Sequence, residues 1–214
     1  VLPAYNEEEY IAELVKQGRR FVDEVIVVDD CSRDQTYHRA MESGALVLHH
    51  KINLGKSCAM KTGCEAAIKL NSDLIALMDS DGQHKPSDLP RFFKEMELKR
   101  ADIVIGARSQ EKKSPLVRFY GNKLLALLVV ALFGVRIKDI QSGFRVFRSE
   151  VFQGLNWVSN NYHADAEMTV RIGKKRLDYS EISIESIYID KHKGMTPIDG
   201  IALALNIIKW KFTL

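Results

Sequence analysis

The chain has 214 residues, enough for one sizeable α/β domain with a full core and marginal for two. Its composition is that of an ordinary globular protein, and a net charge of +3 is too small to imply a nucleic-acid partner. Cys31, Cys58 and Cys64 are odd in number and lack metal-like spacing, which favours reduced intracellular thiols over disulfides or zinc.

The first residues, Val1 and Leu2, read as the remnant of a strand, so an upstream residue or two of that strand is expected to be missing. Residues 7–21 predict a helix with Ile11, Leu14, Val15 and Gly18 on one face. Residues 24–28 predict a buried strand ending at Asp29 and Asp30, residues 33–43 a helix, and residues 45–48 another strand. A helix follows over 55–70, then a strand over 74–78. Ser87 is expected to cap a helix running to Lys99, with Pro86 just before it, and 102–106 predicts a strand.

After residue 107 this rhythm breaks. Residues 118–133 predict a long apolar helix, 143–147 a short strand, 163–174 a helix, 181–189 a last strand and 198–212 a final amphipathic helix. The longest apolar run, 124–135, is too short for the roughly 18–20 residues that span a bilayer. No signal peptide is visible, and any transmembrane anchor is expected beyond Leu214.

Alternating strands and helices imply a mostly parallel central sheet with helices on both faces. Ligands on such sheets bind beyond the carboxyl ends of the strands. The polar clusters fall there: Pro3 to Glu7, Asp29 to Asp34, Asn53 to Lys56, and Asp79 to Asp81. Neither a GxGxxG nor a P-loop pattern is present, which argues against dinucleotide and Walker-type sites.

The sharpest of these clusters is Asp79-Ser80-Asp81-Gly82-Gln83, directly after an apolar strand. Two carboxylates one residue apart make a compact anionic corner, Gly82 permits a turn, and Gln83 offers another oxygen. A hard divalent cation, Mg²⁺ or Mn²⁺, suits such oxygen ligands and can bridge nucleotide phosphates. An acidic surface turn would carry the same residues without a metal.

Taken jointly, the segments LPAYNE (2–7), VVDDCSRDQT (27–36), NLGKS (53–57), MDSDGQHKP (78–86), IGAR (105–108) and DIQSGFRVF (139–147) resemble the family 2 inverting glycosyltransferases of the GT-A nucleotide-sugar fold. Within it they look most like the dolichyl- or polyprenyl-phosphate sugar synthases. The resemblance spans nearly the whole chain. It implies one glycosyltransferase domain over 1–214, with a nucleotide-sugar half (1–107) and an acceptor half (108–214) bearing membrane-interfacial helices.

It also implies roles for particular residues. Pro3, Ala4, Tyr5 and Glu7 would contact base and ribose, and Asp29 or Asp30 would read the nucleobase or ribose. Lys56 and Ser80 would lie near the nucleotide, and Asp79, Asp81 and Gln83 would hold the metal. Arg108, Arg118, Ser142 and Arg145 would lie toward the acceptor phosphate, with Asp81, Arg108 and Arg118 central to catalysis. The sequence departs from the mannosyl-phosphate synthase pattern near its end, where it reads Lys191-His-Lys-Gly194 in place of an expected arginine. Lys191 can supply phosphate charge but not arginine's bidentate fork, so UDP-sugars stand beside GDP-sugars as donors.

The implied reaction is attack by a lipid-phosphate oxygen on the anomeric carbon. Arg108, Lys112, Lys113, Arg118 and Lys123 lie beside the apolar run, a pattern suited to an anionic membrane surface and a phosphate with a greasy tail. The expected location is the cytoplasmic face of a membrane, peripheral or anchored by segments outside this chain. Transfer to a hydroxyl would instead require Asp165 or Glu167 as general base. His49 and His50 read as edge residues, and His84 either approaches the diphosphate or has no role. A nucleotidyltransferase, an aspartyl phosphatase and a non-catalytic binding domain are the competing classes.

Overall fold

The computed structural model describes residues 1–108, 116–159, 163–185 and 197–214, without the side chains of 116–120 and 197. The first half alternates strand and helix: β1 (Leu2–Ala4), α1 (Ile11–Gly18), β2 (Ile26–Asp29), α2 (Thr36–Glu42), β3 (Leu46–His49), α3 (Lys56–Lys69) and β4 (Leu74–Leu77). A 3₁₀ turn at Pro86–Asp88 leads into α4 (Leu89–Lys99), then β5 (Ile103–Arg108) and α5 (Leu116–Phe133). The chain continues through β6 (Arg145–Arg148), a 3₁₀ turn, α6 (Phe152–Leu155), α7 (His163–Lys175), β7 (Tyr179–Ile184) and α8 (Pro197–Thr213).

β1, β2 and β3 pair in parallel, and β4, β6, β5 and β7 form a second group in that order. Val1 joins the two: its nitrogen donates to the Ala76 carbonyl at 2.7 Å, and the Met78 N–H donates to the Val1 carbonyl at 3.2 Å. That is one rung of a parallel ladder. Among the described residues the strands therefore run β3-β2-β1-β4-β6-β5-β7 across one surface, with β6 alone opposed to its neighbours. The reversal of β6 explains why the sequence rhythm breaks after residue 107. It also places Arg145, the first residue of β6, opposite Leu77 and Ile105, at the edge where the parallel strands end.

The expected face of α1 is buried at Ile11, Leu14, Val15 and Gly18. Several boundaries move. Residues 7–10 form turns rather than helix, with the Glu7 carbonyl accepting from Tyr10 and Ile11. Residues 33–35 stay outside α2 because Asp34 takes the Thr36 N–H at 2.9 Å. Ser87 does not cap α4: it lies inside the 3₁₀ turn, and Asp88 holds the position before the helix. The last strand stops at Ile184, and residues 186–189 of the expected strand lie outside the described residues.

One core lies between α3, α5, α7, α8 and one face of the sheet, around Ile75, Ile103, Phe147 and Trp157. The other lies beneath α1 and α4, around Val27, Phe92, Val104 and Phe144. With both faces covered, the polar residues at the strand ends converge on one edge.

Candidate functional site

The loop after β1 interlocks with the loop after β2. Asn6, with φ of 55°, donates its N–H to Ser32 Oγ at 2.9 Å and accepts the Arg33 N–H on its side-chain oxygen at 2.8 Å. Glu7 N–H reaches Thr36 Oγ1 at 2.8 Å, and Glu8 takes the Gln35 N–H at 3.0 Å. Pro3 and Ala4 face inward as backbone anchors: the Pro3 carbonyl accepts Ser80 Oγ at 2.6 Å and the Ala4 carbonyl accepts the Asp30 N–H at 2.8 Å. Ser80 is thus a buried tie between two loops, while Tyr5 is exposed.

Asp29 and Asp30, both buried, have different partners. Asp30 binds His50 Nδ1 at 2.7 Å, the Leu54 N–H at 2.9 Å and the Gly55 N–H at 2.7 Å, and His50 continues to Thr62 Oγ1 at 3.0 Å. Asp30 therefore fixes the loop leading into α3. Asp29 binds His49 Nδ1 at 2.7 Å through Oδ2, while its buried Oδ1 has no hydrogen-bond partner among the described residues. The edge-residue reading of His49 and His50 missed these pairings, because they join positions twenty apart.

At the end of β4, Asp79 Oδ1 lies 2.6 Å from Lys56 Nζ, which also reaches Asp165 Oδ2 on α7 at 3.2 Å. Burial alone would raise Asp79, yet the Lys56 charge, followed by His84 and Arg108, holds its carboxyl below the usual range. For Asp165 burial prevails and its carboxyl is pushed up. Lys56 is raised despite its burial, because it serves both carboxylates. His84 is buried against Phe144, with Nε2 4.0 Å from Asp79 Oδ2; burial pulls its pKa down against the attraction of Asp79.

Asp81 lies two residues on, with Oδ1 accepting the Gln83 N–H at 3.1 Å across Gly82, whose φ is 74°. Asp79 and Asp81 offer hard oxygens, and Asp79 already carries the ammonium of Lys56, so the corner accommodates positive charge. Among the described residues no three of His, Cys, Asp and Glu gather into a metal cage. Asp79 and Asp81 are the residues that would hold Mg²⁺ or Mn²⁺, whose hardness suits carboxylate oxygens.

Arg108, at the end of β5, forms a two-pronged pair with Asp139: Nε to Oδ2 at 2.6 Å and Nη2 to Oδ1 at 3.0 Å. Burial would raise Asp139, but the Arg108 charge and hydrogen bonds hold it low. Asp139 lies in the DIQSGFRVF segment, and its pairing with Arg108, thirty-one residues away, is a tertiary contact that the sequence alone does not reveal.

Arg145 has a setting that the acceptor-phosphate expectation did not foresee. It is fully buried, with its guanidinium on the carbonyls of Ser142, Ile140 and Asp165 at 2.9, 3.1 and 2.7 Å. Ser142 is buried too, and its Oγ accepts the Phe144 N–H at 3.3 Å. Glu167 is fully buried and takes the Val158 and Ser159 N–H groups and Arg171. The side chain of Arg118, together with Lys112, Lys113, Lys191 and His192, lies outside the described residues.

The model of the glycosyl transferase family 2 matches residues 1–155. A UDP-N-acetylglucosamine–dolichyl-phosphate N-acetylglucosaminyltransferase of Methanococcus voltae is 28% identical over 89% of this chain and 85% of its own length. A dolichyl-phosphate beta-glucosyltransferase of Trichomonas vaginalis is 30% identical over 98% of this chain and 71% of its own. Glucosyl-3-phosphoglycerate synthase of Mycobacterium tuberculosis, solved with Mn²⁺, uridine diphosphate and phosphoglyceric acid, superposes with a TM-score of 0.72 at 20% identity, over 97% of this chain and 74% of that one. This last likeness is one of fold.

Proposed function

Since the chain belongs to glycosyl transferase family 2, we propose that it moves a sugar from a UDP-sugar to a polyprenyl phosphate, with inversion at the anomeric carbon. The observation that carries this reading is the meeting of two opposite charges at one sheet edge. Arg108 ends β5 and Asp79 follows β4, and these two strands flank β6 in the same direction, so both residues come to the same edge of the sheet. A donor diphosphate at Asp79 and Asp81 and an acceptor phosphate at Arg108 would then be neighbours.

An acceptor phosphomonoester, with its second pKa near ~6, is largely ionised at neutral pH and needs no general base. Its oxygen attacks the anomeric carbon as the bond from that carbon to the diphosphate breaks, and the nucleoside diphosphate leaves. Arg108, oriented by Asp139, would offset repulsion between the acceptor and donor phosphates. A divalent cation held by Asp79 and Asp81 would supply further charge to the departing diphosphate.

Asp29 supports uridine as the nucleoside. Its Oδ2 is taken by His49, which leaves Oδ1 to accept from a base. One open oxygen suits the single ring N–H of uracil, whereas guanine presents two adjacent donors suited to a whole carboxylate. The Methanococcus voltae relative, a transferase of UDP-N-acetylglucosamine, points the same way.

The membrane is proposed as the second surface that the protein meets. No helix among the described residues is long and apolar enough to cross a bilayer. Leu124 and Leu127 on α5, and Ile198, Ile201, Leu205 and Phe212 on α8, are nevertheless exposed on two helices that pack together. Such a face suits a headgroup boundary, where a lipid-linked phosphate is found.

A second reading rests on Asp165, whose buried Oδ1 has no hydrogen-bond partner among the described residues. It would act as general base toward a hydroxyl acceptor. Nucleotide release with Mg²⁺ or Mn²⁺, across UDP- and GDP-sugars with and without polyprenyl phosphate in detergent, tests both. Release that needs one UDP-sugar and the lipid phosphate is expected. Release without the lipid phosphate would point to hydrolysis or the hydroxyl reading. Absence of nucleotide binding would defeat both.

A further inference from the structure

Lys56 is held from both sides in the sequence. Gly55 before it, with φ of 88°, donates its N–H to Asp30. Ser57 after it donates its hydroxyl to the Ser159 carbonyl at 2.5 Å and accepts the Trp157 indole N–H on its own carbonyl at 3.2 Å. The first turn of α3 is therefore anchored to Asp30, just beyond β2, on one side and to the segment before α7 on the other. From that base the ammonium reaches Asp79 and Asp165, two carboxylates that come from opposite halves of the chain.

The oxygen that Lys56 occupies belongs to the first aspartate of the proposed cation corner. A divalent cation approaching Asp79 meets a like charge already in place, and the Lys56 stem is long enough to swing to another anion. A diphosphate is such an anion. Its arrival would give Lys56 new oxygens and release Asp79 Oδ1.

We propose that Lys56 is the resident counter-cation of the donor corner. It joins Asp79 to Asp165 in the free enzyme, opposes a divalent cation arriving alone, and passes to the donor diphosphate when cation and nucleotide arrive together. This inference rests on the sugar-nucleotide reading of the corner. Its consequence is reciprocal: nucleotide raises the affinity for the cation, and the cation raises the affinity for nucleotide, by one common factor.

The test is Mn²⁺ binding to the wild-type protein, Lys56→Met and Lys56→Arg, with free ion read by electron paramagnetic resonance, first without and then with UDP. Lys56→Met should bind Mn²⁺ alone roughly tenfold tighter than wild type, on the scale of removing one close like charge. UDP should tighten Mn²⁺ binding less in Lys56→Met than in wild type, and Lys56→Arg should stay near wild type. Equal or weaker Mn²⁺ binding by Lys56→Met, an undiminished UDP effect in it, or tighter binding by Lys56→Arg would each overturn the proposal. If circular dichroism shows Lys56→Met unfolded, Lys56→Gln is read by the same criteria. Failure of the wild type to bind either UDP or GDP with Mn²⁺ would defeat the donor reading, while the metal-alone comparison still decides whether Lys56 competes for Asp79.

Discussion

Gly143 lies directly against the carboxylate of Asp79: a Cβ built on Gly143 would stand 2.6 Å from Asp79 Cγ. The two residues come from separate segments, MDSDGQHKP and DIQSGFRVF, which meet because β6 enters the sheet beside β4. The glycine is required here by proximity, since no side chain fits between the β6 approach and the carboxylate.

Gly143→Ala should therefore act on the corner more than on the fold. Overpacking of this kind costs about 1–3 kcal/mol of stability. The larger effect expected is a displaced Asp79, and with it weaker binding of Mn²⁺ and UDP together. Calorimetric titration beside a denaturant melt separates the two effects. Wild-type affinity with a lowered melt would show that Asp79 does not need this backing.

Asp139→Asn keeps the shape of the side chain and removes the charge that orients Arg108. If Arg108 serves the acceptor, turnover with polyprenyl phosphate should fall by about 10²-fold, the scale of an angstrom-level misplacement, with UDP affinity little changed. The pair also predicts a pH effect. The Asp139 carboxyl is held below its ordinary value of 3.8 in the folded protein, so its contribution to stability is present above that value and is lost as pH falls through the lower folded value. The variant should be less stable than wild type at pH 7, and the gap should narrow in acid. A gap independent of pH would show that the carboxylate charge is not what stabilises.

Much of this site was legible in the sequence, and the part that was not has a common cause. The Asp79–Asp81 corner could be read because a strand, a turn and two carboxylates are contiguous. The strand order could not be, since β6 enters against its neighbours from far along the chain. Asp29 and Asp30 look equivalent side by side, and only their partners separate them. The resemblance sets Arg145 toward the acceptor phosphate, and the fold shows in addition that its guanidinium donates to three carbonyls, which residue type alone does not reveal. Asp165 and Glu167 look interchangeable as bases, but positions two apart on α7 face different surroundings. In each case the sequence carried the residue and the tertiary contact set its surroundings.

Asp30→Ala tests that distinction. The carboxylate organises two backbone N–H groups and His50, and charge-assisted bonds contribute up to about 3 kcal/mol each in favourable settings. A loss of about 3 kcal/mol is expected in a denaturant melt, with donor binding falling because the Lys56 helix start loosens. Asp29→Ala should instead weaken UDP binding with a smaller effect on stability. Equal losses of stability in the two variants would contradict their separate roles.

Glu167→Ala should behave as a structural lesion. It removes the acceptor for the Val158 and Ser159 N–H groups and leaves Arg171 without this carboxylate, a change that costs about 3–5 kcal/mol where a buried pair is broken. Asp165→Asn, by contrast, should fold normally. If the acceptor is a phosphate, it should retain measurable turnover. Abolished turnover in a folded Asp165→Asn, with a pH–rate profile that loses a carboxylate limb, would favour the hydroxyl acceptor instead.

The exposed faces of α5 and α8 give the last prediction. Trp210 is buried with Leu203 and Ile207 on the inner side of α8, so it packs the core instead of meeting an interface. Ile201, Leu205 and Phe212 lie outward, with Phe212 84% exposed. Replacing Leu205 and Phe212 with glutamate should barely change a thermal melt, because neither is covered in the folded chain. Binding to vesicles containing anionic lipid should fall sharply, since each substitution removes apolar contact and adds repulsion from the headgroups. Flotation with anionic and with neutral vesicles measures this. Wild-type protein that ignores both kinds of vesicle, or variants that float as well as wild type, would remove the membrane from the account of this face.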